Sequence, residues 1–161
     1  MSPARDPTAR QVADFIARYT PQMADAITAC RRKLCARVPR GFELVYDNYN
    51  ALAIGYAYAD KASASLVSIA GYPRWVTLFF LYGKDLPDPE GLLEGEGARV
   101  RSIRLQSPDD LDKPAVRRLL DLALAPHEAD FAAAPPLQTV VKSISPKQRE
   151  RMPPAQGVSK T

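Results

Sequence analysis

Carboxylates supply the densest patch of potential chemistry in this chain. Between Lys84 and Gly97 stand Asp85, Asp88, Glu90, Glu94 and Glu96 against a single lysine. Hard cations such as ferrous iron or calcium prefer oxygen ligands, so an acidic loop made pliable by glycine could hold one loosely. The spacing is not that of an EF-hand. The plainer reading is a solvated loop whose carboxylates pair with Arg99, Arg101 and Arg104 nearby.

A second candidate is aromatic. Tyr46, Tyr49, Tyr56, Tyr58, Tyr72 and Tyr82 fall in one stretch with Trp75, and Tyr72-Pro73-Arg74-Trp75 joins two rings and a guanidinium in a single turn. At the rim of a sheet such a turn could frame a small-molecule pocket, with Arg74 free to take a carboxylate or phosphate. Asp47, Asn48 and Asn50 are the polar residues to watch beside it. The competing readings are an aromatic core with hydroxyls reaching the surface, and an Asx-stabilised turn at Asp47 to Asn50.

Other chemistry lacks its parts. Cys30 and Cys35 lie five positions apart in one predicted helix, about 140° apart around its axis, which is poor geometry for a disulfide. With His127 as the one histidine, the four ligands of a structural zinc site are not at hand. His127 has no nucleophile motif near it, and Gly95-Glu96-Gly97 lacks the third glycine of a dinucleotide fingerprint. No carboxylate is visibly isolated in an apolar pocket where its pKa would be tuned, so catalysis is the least favoured class.

Short elements must position these groups. Val12, Phe15, Ile16 and Tyr19 mark one side of a helix over Thr8 to Tyr19. Thr20-Pro21 caps and restarts the chain into a second helix, Pro21 to Arg37, with Met23, Ile27, Cys30, Leu34 and Val38 inward and Arg31, Arg32, Lys33 and Arg37 largely in water. Alternating and β-branched residues then predict strands at about Glu43 to Asn48, Ala51 to Tyr58, Ser65 to Ala70 and Val76 to Tyr82, joined antiparallel because their connections are short. Leu52, Ile54, Tyr56 and Tyr58 oppose the small face Ala51, Ala53, Gly55 and Ala57, so something packs close there. The fourth strand is apolar on both sides and is expected to be central and covered on both faces. A strand at Val100 to Leu105, a helix at Lys113 to Leu124 after a run of capping side chains, a connector and an edge strand at Leu137 to Ile144 complete the domain.

The expected class is therefore α+β: a mostly antiparallel sheet of five to six strands, two N-terminal helices and one near the C-terminus. A flexible N-terminus spans 1–7, the domain 8–145, and a basic, disordered tail with Lys147, Arg149, Arg151 and Lys160 spans 146–161. A chain of 161 residues fits one domain, and no apolar run suggests a signal peptide or a membrane span, which makes the cytoplasm the default compartment. The net charge of +4 permits attraction to polyanions, yet no helix-turn-helix or aromatic-basic motif accompanies it, so sequence-specific nucleic acid binding is not expected.

Six runs carry a resemblance: Tyr46-Asp47-Asn48-Tyr49-Asn50 through Tyr56, Val67 through Leu81, Leu92-Leu-Glu-Gly-Glu-Gly97, Val100 through Leu105, Leu111 through Val116, and Val141 through Arg149. In that order they resemble the bacterial YdhG-like domain, a domain of unknown function, over about residues 10 to 150. The resemblance implies a compact intracellular α+β domain with a bent antiparallel sheet carrying helices, and no particular reaction. One branch of that family is linked to frataxin-like iron chaperoning, without a ligand motif that could be matched here. Two functions are accordingly expected: a non-catalytic binding or scaffold module for a small ligand or protein, using Tyr46, Asp47, Asn48, Tyr72, Arg74 and Trp75, or an iron-binding chaperone using the acidic loop.

Overall fold

The computed structural model describes residues 6–153. Asp6 caps the first helix, α1 (Pro7–Ala17), its carboxylate accepting from the Thr8 and Ala9 amides. The expected flexible N-terminus therefore already belongs to the fold at Asp6 and Pro7, and 1–5 lie outside the described residues. Thr20 caps α2 (Pro21–Arg37) through the Met23 amide at 3.2 Å, and Pro21 takes the first helical position, where its missing N–H costs nothing.

Six strands follow: β1 (Phe42–Asp47), β2 (Leu52–Ala57), β3 (Ser65–Gly71), β4 (Val76–Phe80), β5 (Arg101–Leu105) and β6 (Gln138–Ile144). They form one sheet in the order β5-β4-β3-β2-β1-β6, antiparallel at every pair except β1 with β6. Between β5 and β6 run α3 (Pro114–Leu124) and the short α4 (Glu128–Ala133), which takes up part of the expected connector. That long return carries the chain from one edge of the sheet to the other, so β6 can lie parallel to β1.

Register explains the core. Val141, Val45, Ile54, Ile69, Leu78 and Ile103 form one aliphatic row across all six strands. Onto it pack Val12, Phe15, Ile16 and Tyr19, then Ile27, Cys30 and Leu34 of α2, then Val116, Leu119 and Leu120 of α3. The approach of α2 is close enough that a Cβ on Gly71 would stand 2.6 Å from Ile27 Cδ1. The opposite face holds a smaller cluster of Leu44, Ala57 and Ala64 with Phe42, Tyr46 and Tyr58. The close neighbour that the small residues of β2 anticipate is Ser65, whose Oγ lies 3.0 Å from where a Cβ on Gly55 would be.

Two expectations change. β4 is second from the edge rather than central, and its Phe79 stays half-buried. The tail expected from residue 146 is docked through Pro153: Arg151 is 3% exposed and lies against Asp47, so a charge run that reads as solvated finds a buried counter-charge. Lys160 and the rest of 154–161 lie outside the described residues. No helix among the described residues is long and apolar enough to cross a membrane.

Candidate functional site

The β3–β4 hairpin is closed by the Tyr72 amide donating to the Trp75 carbonyl at 2.8 Å. The two rings it brings together stack with centroids 5.3 Å apart. Because Arg104 of β5 lies opposite Thr77, its guanidinium reaches back over the Trp75 indole, 3.9 Å from the ring centre. Trp75 is thus held by contacts with both Tyr72 and Arg104. Arg74 at the tip is exposed, and among the described residues it has no hydrogen bond, ion pair or ring contact.

A groove opens on each side of this turn. One, of about 660 Å³, runs between the hairpin and the start of α2, walled by Met23, Cys30, Trp75 and Leu105. The other, of about 770 Å³, lies between the hairpin, Asn50 of the β1–β2 turn, and the segment Arg149 to Pro153. Pro73, Arg74 and Trp75 line both.

Of the six residues expected to hold a ligand, the structure brings Tyr72, Arg74 and Trp75 together and places the other three elsewhere. Asp47 points inward, is 1% exposed, and is engaged by Arg18, by Arg151 Nη2 at 3.0 Å and by Gln148 Nε2 at 2.9 Å. Asn48 shapes a turn instead: its amide donates to the Ala51 carbonyl at 3.0 Å and its carbonyl accepts from Arg151 at 2.6 Å. Tyr46 packs on the opposite side of the sheet with its hydroxyl buried and without a partner. The residues missed are those of the C-terminal segment. Arg149, Glu150, Met152 and Pro153 complete the larger groove, and only the Asp47 counter-charge, itself hidden until the strand register is known, could have signalled that they dock.

A second polar centre lies inside the protein. Glu43 sits directly opposite Tyr56 on β2 and Thr139 on β6, and both hydroxyls donate to it, at 2.8 and 2.7 Å. From α2, Arg31 adds a two-pronged pair at 2.8 and 2.9 Å, and one turn on, the Cys35 thiol stands at 3.4 Å. Burial alone would push the Glu43 carboxyl up; Arg31 and the two hydroxyls outweigh it and hold it below the usual range. Burial, reinforced by Glu43, pushes the Cys35 thiol up to about 11, and burial does the same to Cys30. Arg31, expected in water, is in fact the cation that Glu43 needs. With every partner supplied from within, this centre holds α2 to the sheet.

The acidic loop does not assemble. Asp85, Glu90, Glu94 and Glu96 are exposed, while Asp88 accepts from the Leu92 and Leu93 amides at 2.8 and 2.9 Å and so shapes its own loop. Among the described residues no three His, Cys, Asp or Glu side chains gather where a metal ion could be held. The arginines expected to pair with the loop turn elsewhere: Arg99 to the Tyr82 ring, Arg101 to the Gly97 and Val100 carbonyls, Arg104 to Trp75. His127 stacks on Tyr58 at 4.7 Å and pairs with Asp130 at 3.0 Å. No family model matches the chain, and comparison with curated proteins and with solved structures finds none similar to it.

Proposed function

We propose that this domain, of the YdhG-like kind, is a non-catalytic binding module that takes a small ligand in the grooves beside the Tyr72–Trp75 turn. The observation that carries this reading is the pairing of a braced aromatic wall with an unpaired guanidinium at a concave surface. Ligand sites combine apolar lining with few, well-placed polar groups, and Arg74 with Asn50 supplies them here. A binding role is favoured over catalysis because the buried carboxylates Glu43 and Asp47 are both engaged by internal donors. The acidic loop gives iron no assembled ligand set, so the chaperone reading gains no support from this geometry.

A thermal-shift screen against a metabolite library, with ferrous iron included, tests the proposal. A ligand that prefers the folded state raises apparent stability, by about 2.7 kcal/mol at a hundredfold excess over its Kd. The expected result is a shift with a small organic molecule that shrinks in Tyr72→Ala. A shift with iron alone would overturn the reading in favour of the chaperone, and no shift with any small molecule would turn the search to protein partners.

A further inference from the structure

The larger groove says more about its occupant than that it is small. Its walls place two guanidiniums on the same space from separate segments, Arg74 on the β3–β4 turn and Arg149 on the C-terminal segment. Neither is spent on a carboxylate among the described residues. Among the described residues Arg74 has no partner, and the Arg149 guanidinium has no hydrogen bond or ion pair and lies 6.0 Å from the Tyr49 ring centre. Two exposed guanidiniums lining one groove without a carboxylate partner among the described residues make it a place that attracts negative charge. Glu150 on the same wall leaves the balance at two cations to one anion, a net positive rim. Apart from Asn50 the rest of the lining is aromatic or apolar, with Tyr72, Pro73, Trp75, Met152 and Pro153, and the Trp75 indole is also held by Arg104.

The position of Arg149 is not accidental. Its amide donates to the Tyr49 carbonyl at 2.8 Å, and two residues on, Arg151 is buried against Asp47 and the carbonyls of Asn48 and Tyr49. The anchored neighbour fixes the backbone that presents Arg149 to the groove, which lowers the entropy lost when a ligand is clamped.

Resting on the reading of this turn as a ligand site, we propose that the ligand is an aromatic anion, an aryl phosphate or carboxylate, with its charged group between Arg74 and Arg149 and its ring against Tyr72 and Trp75. A guanidinium fork matches the oxygens of either group, and a flat ring matches the lining.

Trp75 is the single tryptophan of the chain, so its emission reports on the groove without labelling. Phenyl phosphate, benzamide and inorganic phosphate are titrated separately into the full-length protein, with excitation at the red edge of indole absorption. Phenyl phosphate is expected to change the Trp75 emission saturably and to bind more tightly than either of the others. Arg74→Gln and Arg149→Gln are each expected to weaken it by about threefold or more, and the double variant by about tenfold. Both side chains are exposed, so these variants keep the fold, which far-ultraviolet circular dichroism checks. Benzamide binding as well as phenyl phosphate, unchanged by the two substitutions, would overturn the anion assignment while leaving a ligand groove in place. Inorganic phosphate binding as well as phenyl phosphate would overturn the aromatic half. No response to phenyl phosphate would overturn the proposal outright, and the metabolite screen then decides the groove itself.

Discussion

Glu43 follows from a strand that alternates Glu43, Val45, Asp47 toward the helices, so a carboxylate arrives on the face of the aliphatic core, with the hydroxyl residues Tyr56 and Thr139 beside it. A buried charge there is tolerable only with donors brought to it, and Arg31, Tyr56 and Thr139 are those donors. Removing it leaves Arg31 partly buried without a partner. Glu43→Ala is therefore expected to cost about 3–5 kcal/mol, read as a lower denaturation midpoint. The pH dependence has a definite sign. Because the folded carboxyl lies below its unperturbed value of 4.5, its stabilisation is complete above that pH and is lost as the pH falls through the lower folded value. Acid titration of Glu43→Gln should show a flatter stability loss below pH 4.5 than the natural protein; identical curves would place the acid sensitivity elsewhere. The two thiols, each pushed from 9.0 to about 11, are expected to react with iodoacetamide about a hundredfold more slowly in the folded protein than in denaturant at neutral pH.

At the scale of elements, what a sequence shows depends on how local its cause is. α2 was legible from end to end because Thr20, Pro21 and Pro39 act through adjacent backbone, and its inward stripe follows from the helical period alone. The strands were legible from alternation, to within a residue or two. The parallel pairing of β6 was not, since it depends on a crossover of more than thirty residues, and neither was the place of β4 in the sheet. The same limit divides the site. Tyr72, Arg74 and Trp75 share one hairpin turn and could be read together, whereas Arg149 is brought to the groove by long-range contacts, its own amide on the Tyr49 carbonyl and Arg151 on Asp47. Gly41 illustrates a constraint that is local but invisible without the backbone: its φ is +113°, and a Cβ there would lie 2.4 Å from the Ala57 carbonyl oxygen. Gly41→Ala is expected to destabilise by about 1–3 kcal/mol or more, because it strains the entry to β1 where that strand must pair with β2. Chemical denaturation measures it, and an unchanged midpoint would mean that the entry relaxes freely.

Across the whole molecule the C-terminal segment ties together parts that lie far apart in the chain. Asp47 accepts from Arg18 just beyond α1, from Gln148 and from Arg151, so one carboxylate joins the N-terminal helix, the β1–β2 turn and the end of the described chain. Arg151→Met is expected to release residues 145–153, seen as lost amide-exchange protection there while β1 to β5 remain protected. The stability cost is about 3 kcal/mol, the loss of one partner of a buried pair. Retained protection of 145–153 would show that the segment is held by contacts other than Arg151. Since this segment is also the far wall of the larger groove, its release should weaken any ligand that Tyr72 and Trp75 hold.

The most direct test of that ligand site is the indole N–H resonance of Trp75, one peak in a nitrogen-correlated spectrum because the chain has one tryptophan. Each metabolite that raises the melting temperature is titrated into uniformly labelled protein. The expected result is a saturable displacement of the Trp75 peak together with the backbone peaks of Tyr72, Arg74 and Arg149. Stabilising metabolites that move resonances on other surfaces and leave the Trp75 peak in place would contradict the assignment of function to this turn.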